Sequence, residues 1–210
     1  MQGKYFIIEG PDFSGKTTQV NQVRSILNNT GYDVYSELIR EPGGTKPGEF
    51  IRKFLLDDEY KEFQSEKSQV LGFNYDRAML VETVLIPAVK SGKIIVSDRS
   101  WLSTIAYQCF AGKMPLEETL TICEFVMRDC MPTHIFLLDV SLEESIRRME
   151  SRSGEVNHYD SKDRTFKQKI REGYTWITGR YKDILTVIDG EQDQNKISQE
   201  IVDHIQQIIS

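Results

Sequence analysis

Short apolar runs alternate with helix-length segments along the whole chain. Tyr5 to Glu9 reads as the first strand, followed by a glycine-rich turn and a helix over about Lys16 to Asn29. Asp33 to Ile39 reads as the second strand. Pro47 to Leu56 and Ser65 to Ser91 read as helices, the longer one ended by Gly92. Ile94 to Ser97 is a buried-type strand that runs into Asp98-Arg99, and Leu102 to Phe110 and Leu116 to Cys130 are helical. His134 to Asp139 is a further strand. Glu143 to Arg152 and Phe166 to Tyr181 are helices separated by a polar stretch. Leu185 to Ile188 is the last strand and Ile197 to Ile209 the last helix. Five short apolar strands separated by helices predict an α/β fold, a five-stranded parallel sheet flanked by helices on both faces. Ligands of such sheets bind at the carboxyl ends of the strands, where Glu9, Arg40, Asp98 and Asp139 are expected to fall.

With 210 residues the chain suffices for one domain with a sizeable core, and a single domain over 1–210 is the expected organisation. Hydrophobic residues make up 39% and charged residues 28%, as in an ordinary soluble protein. The longest apolar runs are far too short to span a bilayer, so no membrane association is expected. Met1 to Lys4 leads straight into the first strand without a signal-peptide layout. Cys109, Cys123 and Cys130 are odd in number and lack metal spacing. They read as buried, reduced cysteines of a cytoplasmic protein. The formal net charge of −6 disfavours a nucleic-acid partner. An acidic protein holds anions only through locally focused cations, which directs attention to arginines and lysines beside turns and helix starts.

Gly10 to Thr17 fits G-x-x-x-x-G-K-T and sits between an apolar strand and a helix, the context that gives this motif meaning. Its glycines let the backbone curl so that N–H groups point inward, and the helix start adds a positive dipole end. Gly10, Asp12, Phe13, Ser14, Gly15, Lys16, Thr17 and Thr18 are the expected cradle for the phosphates of a nucleoside triphosphate. Lys16 reaches the β- and γ-phosphates. The Thr17 hydroxyl and the Asp98 carboxylate are candidate Mg²⁺ ligands. Arg99 beside Asp98 can neutralise phosphoryl charge or, alternatively, form a structural salt bridge. Asn195-Lys196-Ile197-Ser198 lacks the aspartate of the guanine-reading motif, which counts against a GTPase switch.

The segments around these two elements carry a more specific pattern. Arg40-Glu41-Pro42-Gly43-Gly44-Thr45, followed by Gly48-Glu49-Phe50-Ile51-Arg52, closely resembles the loop after the second strand of thymidylate kinases. Phe73-Asn74-Tyr75-Asp76-Arg77 resembles their F-x-x-x-R helix segment. Asp98-Arg99-Ser100 with Ser103-Thr104-Ile105-Ala106-Tyr107-Gln108 resembles their D-R-Y…S-S-x-A-Y-Q stretch, and Arg171-Glu172-Gly173-Tyr174 the helix after their lid. The resemblance runs from about residue 4 to 185. It implies a P-loop kinase fold with a small lid over about 142–163, ATP and dTMP as substrates, Mg²⁺ as cofactor, and a homodimer. On spacing alone, Phe73 and Arg77 lie about 6 Å apart along one helix face; an ordinary core phenylalanine beside a surface arginine remains the other reading. In the family these positions stack on the thymine and hydrogen-bond it. By the same resemblance Arg40 and Arg99 hold the acceptor phosphate, and Tyr107 crowds the sugar 2′ position. Ser103, Thr104 and Gln108 lie near the base, Asp12 contacts the 3′-hydroxyl, and the Glu41-Pro42 bond is cis.

Departures from the family pattern shape the expected mechanism. One family variant places an arginine directly after the phosphate-loop acid; here that residue is Phe13, so the lid has to supply the cation. Arg147, Arg148 and Arg152 lie in or just before the lid, and Arg148 and Arg152 are favoured beside Lys16 and Arg99 as catalytic groups; a solvated basic helix face is the alternative. Asn157-His158-Tyr159-Asp160 replaces the common D-R-x-E pattern, with Tyr159 packing over the nucleotide. Asp-Arg-Ser is also similar to deoxynucleoside kinases. The reading is therefore transfer of the ATP γ-phosphate to dTMP. A broader deoxynucleoside or deoxynucleotide kinase, a P-loop ATPase switch and a binding protein without turnover stand as alternatives.

Overall fold

The structure, a computed structural model, describes residues 3–151, 159 and 163–210. Five strands form one parallel sheet: β1 (Lys4–Glu9), β2 (Ile39–Arg40), β3 (Ile94–Asp98), β4 (His134–Asp139) and β5 (Leu185–Asp189), in the order β2-β3-β1-β4-β5. Alternate residues of each strand point to opposite faces. Tyr5, Ile7, Ile95 and Ile135 enter one core, and Phe6, Ile8, Val96 and Phe136 enter the other. Both faces being covered, the strands have no polar side to show.

On the second face α1 (Lys16–Asn29) packs beside α9 (Gln194–Ile209), burying Val20, Val23 and Leu27 with Ile197, Ile201 and Ile205. On the first lie α3 (Glu66–Leu80), α5 (Trp101–Thr104), α6 (Leu116–Met127) and α8 (Arg164–Arg180). The short α2 (Lys46–Leu56) packs on α3, and α7 (Leu142–Ser151) follows β4. Gly173 lets α8 lie close on the segment holding Ala106, since a Cβ there would come within 2.8 Å of the Ala106 Cα.

Three expectations change. The segment expected as strand Asp33 to Ile39 pairs only at Ile39–Arg40, apart from a single bridge between Val34 and Ile94. It lies at the sheet edge with Ser36 and Glu37 exposed. The Arg24 guanidinium takes the carbonyls of Tyr35 and Ser36 (3.0 and 2.6 Å), so side-chain donors replace a ladder there. The helix expected as one rod over Ser65 to Ser91 is α3, a π-helical turn Val81–Leu85, and α4 (Ile86–Lys90). Pro87 has no N–H to continue an α ladder, and a π turn ahead of it absorbs the break. A second π segment, Ile105–Ala111, follows α5 in place of a regular helix. Cys109, Cys123 and Cys130 are free and buried. Among the described residues no helix is long and apolar enough to cross a membrane.

Candidate active site

β1 lies between β3 and β4, so the loop after β1 opens at the crevice where the sheet order reverses. The register pairs Ile8 with Asp98 and sets the β3 end beside that loop. Gly15 caps α1 at φ +94, a backbone conformation open to glycine. Phe13 adopts φ +63 without being glycine. Gly10 and Ser14 form the inner side of the loop: the Gly10 carbonyl accepts from Arg99 and Tyr174, and Ser14 is buried against Lys16.

The cavity beyond the loop encloses about 1290 Å³. Asp12, Phe13, Gly15, Lys16, Thr17 and Thr18 line it on the side of the loop. Lys16 Nζ donates to the Pro11 carbonyl at 2.7 Å, and Thr17 Oγ1 donates to Asp98 Oδ2. Burial, then the nearby Arg99, lowers the Lys16 ammonium to about 8 against the pull of Asp98, Asp12 and Glu9. A polyanion beside this ammonium would relieve that depression, as phosphate binding requires.

Arg99 stands at the centre. Its backbone is left-handed, φ +73. Its guanidinium pairs with Asp12, donates to Ser103 Oγ at 2.9 Å and to the Gly10 carbonyl at 3.2 Å, and lies 5.4 Å from the centre of the Tyr107 ring. Tyr107 in turn donates to Asp12 Oδ2 at 2.7 Å. Burial opposes ionisation of Asp12, yet Arg99, Lys16 and the Tyr107 hydroxyl together hold its carboxyl below the usual range.

Along another part of the wall the loop after β2 folds back through a cis Glu41-Pro42 bond, the isomer the resemblance implied. Arg40 pairs with Glu49 at 2.7 Å, and Arg52 donates to the Pro42 carbonyl at 2.8 Å. Both arginines line the cavity across from Arg99. Phe73 is half-buried on the cavity wall. Arg77 is 2% exposed rather than a surface residue. It donates through Nε to Glu41 Oε2 (2.6 Å), through Nη1 to Asn74 Oδ1 (2.7 Å) and through Nη2 to Thr104 Oγ1 (3.1 Å). Burial pushes the Glu41 carboxyl up to about 7, against the downward pull of Arg77. Tyr159 lines the cavity as well: its ring meets that of Tyr107 edge-on at 5.5 Å, and its hydroxyl accepts from Gln108 Nε2 (2.9 Å) and donates to Gln69 Oε1 (3.0 Å).

Of the expected lid cations, Arg148 lines the cavity beside the loop. Its Nη1 is 3.4 and 3.3 Å from the carbonyls of Phe13 and Ser14, and its Nη2 donates to that of Gly190 (2.8 Å). Arg147 instead points outward and pairs with Glu144. Arg152, Asn157, His158 and Asp160 lie outside the described residues, as does most of the stretch expected as a lid after α7.

The other site residues expected from the sequence line this one cavity, except Gly10 and Ser14, which lie on the inner side of the loop. The sequence carries no signal for Arg52 as a site residue: it lies far from the phosphate motif, and it joins the cavity only because the loop after β2 folds back beside it. Glu9 is legible only as a strand end, Asn74 only as a member of the segment from Phe73 to Arg77, and Gln69 not at all, since polar residues on an amphipathic helix read as surface.

A family model described as "Thymidylate kinase" matches residues 8–201 of the chain. A "Thymidylate kinase" of Geobacillus sp. (strain WCH70) is 34% identical over 198 residues, 94% of this chain and 93% of that protein. One of Thermoanaerobacter sp. (strain X514) is 33% identical over 209 residues, 100% of both. One of Bacillus cereus (strain B4264) is 32% identical over 207 residues, 98% of both.

Proposed function

The chain belongs to the thymidylate kinase family and phosphorylates dTMP; on that premise we propose how its residues divide the work. ATP is the donor, its phosphates held by the loop from Gly10 to Thr18 and by Lys16. The dTMP phosphate is met by Arg40, Arg52 and Arg99. The thymine stacks on Phe73 within reach of Arg77, Thr104 and Gln108, and Asp12 and Tyr107 flank the sugar. The observation that carries this reading is one cavity lined together by Lys16, Arg99, Phe73 and Arg77. Its volume of about 1290 Å³ leaves room for a nucleotide acceptor beside the phosphate loop, which an ATPase switch would not require.

The reaction makes a bond between a dTMP phosphate oxygen and the γ-phosphorus of ATP and breaks the β–γ bridge, leaving ADP and dTDP. The attacking oxygen is already anionic, so no side chain has to remove a proton. Catalysis is then positioning and charge neutralisation by Lys16, Arg99 and Arg148, with Arg152 as the further lid candidate. Thr17 Oγ1 and Asp98 Oδ2, hydrogen-bonded to each other at the mouth of the loop, are a hydroxyl–carboxylate pair of hard oxygen donors that suits Mg²⁺, and these two residues would hold it. When bound, the ion supplies positive charge to the β- and γ-phosphate oxygens. Tyr159, fixed between Gln69 and Gln108, supports a lid that excludes water from the transfer.

Phe73→Ala is the direct test of acceptor stacking. Removing a half-buried phenyl from a base should raise KM for dTMP by about 10- to 100-fold, with KM for ATP moving less than about twofold. Equal losses for both substrates would contradict the stacking role.

The reading includes a homodimer in the cytoplasm. Phe50 and Phe54 on α2, and Leu71 and Tyr75 on α3, are exposed, and each pair is four residues apart on helices that pack together. A shared apolar face of this kind supports self-association. Sedimentation should give twice the chain mass at micromolar concentration, and Leu71→Glu should shift it to the monomer. A monomeric parent protein would remove this part of the reading.

A further inference from the structure

Glu9, the last residue of β1, is fully buried, takes hydrogen bonds on both carboxylate oxygens, and forms no salt bridge among the described residues. Oε1 accepts from the Ser100 N–H (2.7 Å), the Ser100 hydroxyl (2.9 Å) and the Ser103 N–H (3.2 Å). Oε2 accepts from the Ser103 hydroxyl (2.9 Å), the Tyr174 hydroxyl (3.0 Å) and the Gly10 N–H (3.3 Å). A carboxylate is acceptor-only and can satisfy this many donors at once.

Most of these donors bracket Arg99. The residue sits at φ +73, a conformation unfavourable for a side chain with a Cβ. Such a backbone persists where its surroundings over-determine it. Glu9 Oε1 fixes the next residue, Ser100, through both its N–H and its hydroxyl. Oε2 fixes the Ser103 hydroxyl, whose oxygen accepts from Arg99 Nη1 at 2.9 Å. Glu9 therefore grips the backbone on one side of Arg99 and the hydroxyl that steers its guanidinium on the other. Tyr174, from α8, joins the same oxygen and the Gly10 carbonyl.

We infer that Glu9 is a positioning residue for phosphoryl transfer: it holds the left-handed turn at Arg99 and, through Ser103, aims the guanidinium at the acceptor phosphate. This rests on the assignment of Arg99 to that phosphate. Glu9 does not line the cavity, so its influence passes through Arg99.

Glu9→Gln keeps volume and shape but turns one acceptor into a donor. With its oxygen toward Ser100, the new amide opposes the Gly10 N–H and donates to Ser103 Oγ, competing with Arg99 Nη1 for that oxygen. The consequence should fall on the phosphate and not on the base. Binding of dTMP and of thymidine, the same acceptor without its phosphate, is measured for parent and variant well below their unfolding temperatures. Glu9→Gln should weaken dTMP by about tenfold and thymidine by less than about threefold, with a matching fall in kcat. Ser100→Ala removes one of the Glu9 bonds, leaves the backbone N–H in place, and should lower the dTMP-to-thymidine affinity ratio by about fivefold; it carries the test if Glu9→Gln does not fold. Equal weakening of both ligands, or an unchanged ratio, overturns the positioning role. Arg99→Ala separates the two layers. If it leaves the ratio intact, the phosphate assignment fails and the inference with it. If it collapses the ratio while the Glu9 and Ser100 variants do not, only the inference fails.

Discussion

Arg99→Ala should lower kcat for dTDP formation by about 10³-fold or more, the range in which a single arginine on a transferring phosphoryl group acts, while KM for ATP changes by less than about threefold. The residue carries a fork-shaped cation in a buried wall, within the field of Lys16, Asp12 and Asp98. Preorganised charge in such a place is worth far more than on a surface. Arg99→Lys keeps the charge without the fork and should recover only about a tenth of the loss. A second signature is a pH profile. Burial is the strongest influence on Asp12 and favours its neutral form; Arg99 is the leading cation holding the carboxyl low. Without Arg99 the Asp12 value climbs, so the acid limb of residual activity should move to higher pH. Near-normal turnover in Arg99→Ala, measured in a coupled ADP assay, would remove Arg99 from the chemistry.

The parts legible in the sequence were those fixed by short-range physics. The phosphate loop and α1 could be placed to the residue, because Gly15 and Lys16 mark a helix start and the apolar run before them marks a buried strand. Strand ends at Glu9, Arg40, Asp98 and Asp139 fell where expected. What escaped depended on partners distant in sequence. Whether Asp33 to Ile39 forms a full strand is decided by Arg24 taking its carbonyls. Whether Arg77 is a surface cation or a buried one is decided by Glu41, which lies 36 positions away. The cluster around Glu9 joins residues separated by up to 165 positions. Local patterns specify elements; they carry little about which polar side chain an element will meet once the sheet is assembled.

Arg77 is where that distinction has its largest energetic consequence. Its guanidinium and the Glu41 carboxylate form a pair with side chains only 2% and 3% exposed. Breaking a buried pair from one side strands the other charge and costs about 3–5 kcal/mol. Arg77→Met should therefore lower the melting temperature by roughly 10 °C and also abolish thymine reading, raising KM for dTMP far more than for ATP. The two effects separate through Glu41. Its folded value, about 7, already lies above the ordinary glutamate value because burial penalises the charge. A carboxyl raised in this way lowers stability as pH climbs from its unfolded value through its folded one. With Arg77 gone the folded value rises further, so the window extends upward, and the variant's stability deficit should be larger at pH 8 than at pH 5. Pairing Arg77→Met with Glu41→Gln removes the stranded charge and should restore much of the melting temperature, while dTMP affinity stays low. If the single variant melts like the parent at pH 8, the pair does not hold this end of the pocket. If the double variant regains dTMP affinity along with stability, Arg77 serves the fold and not the base.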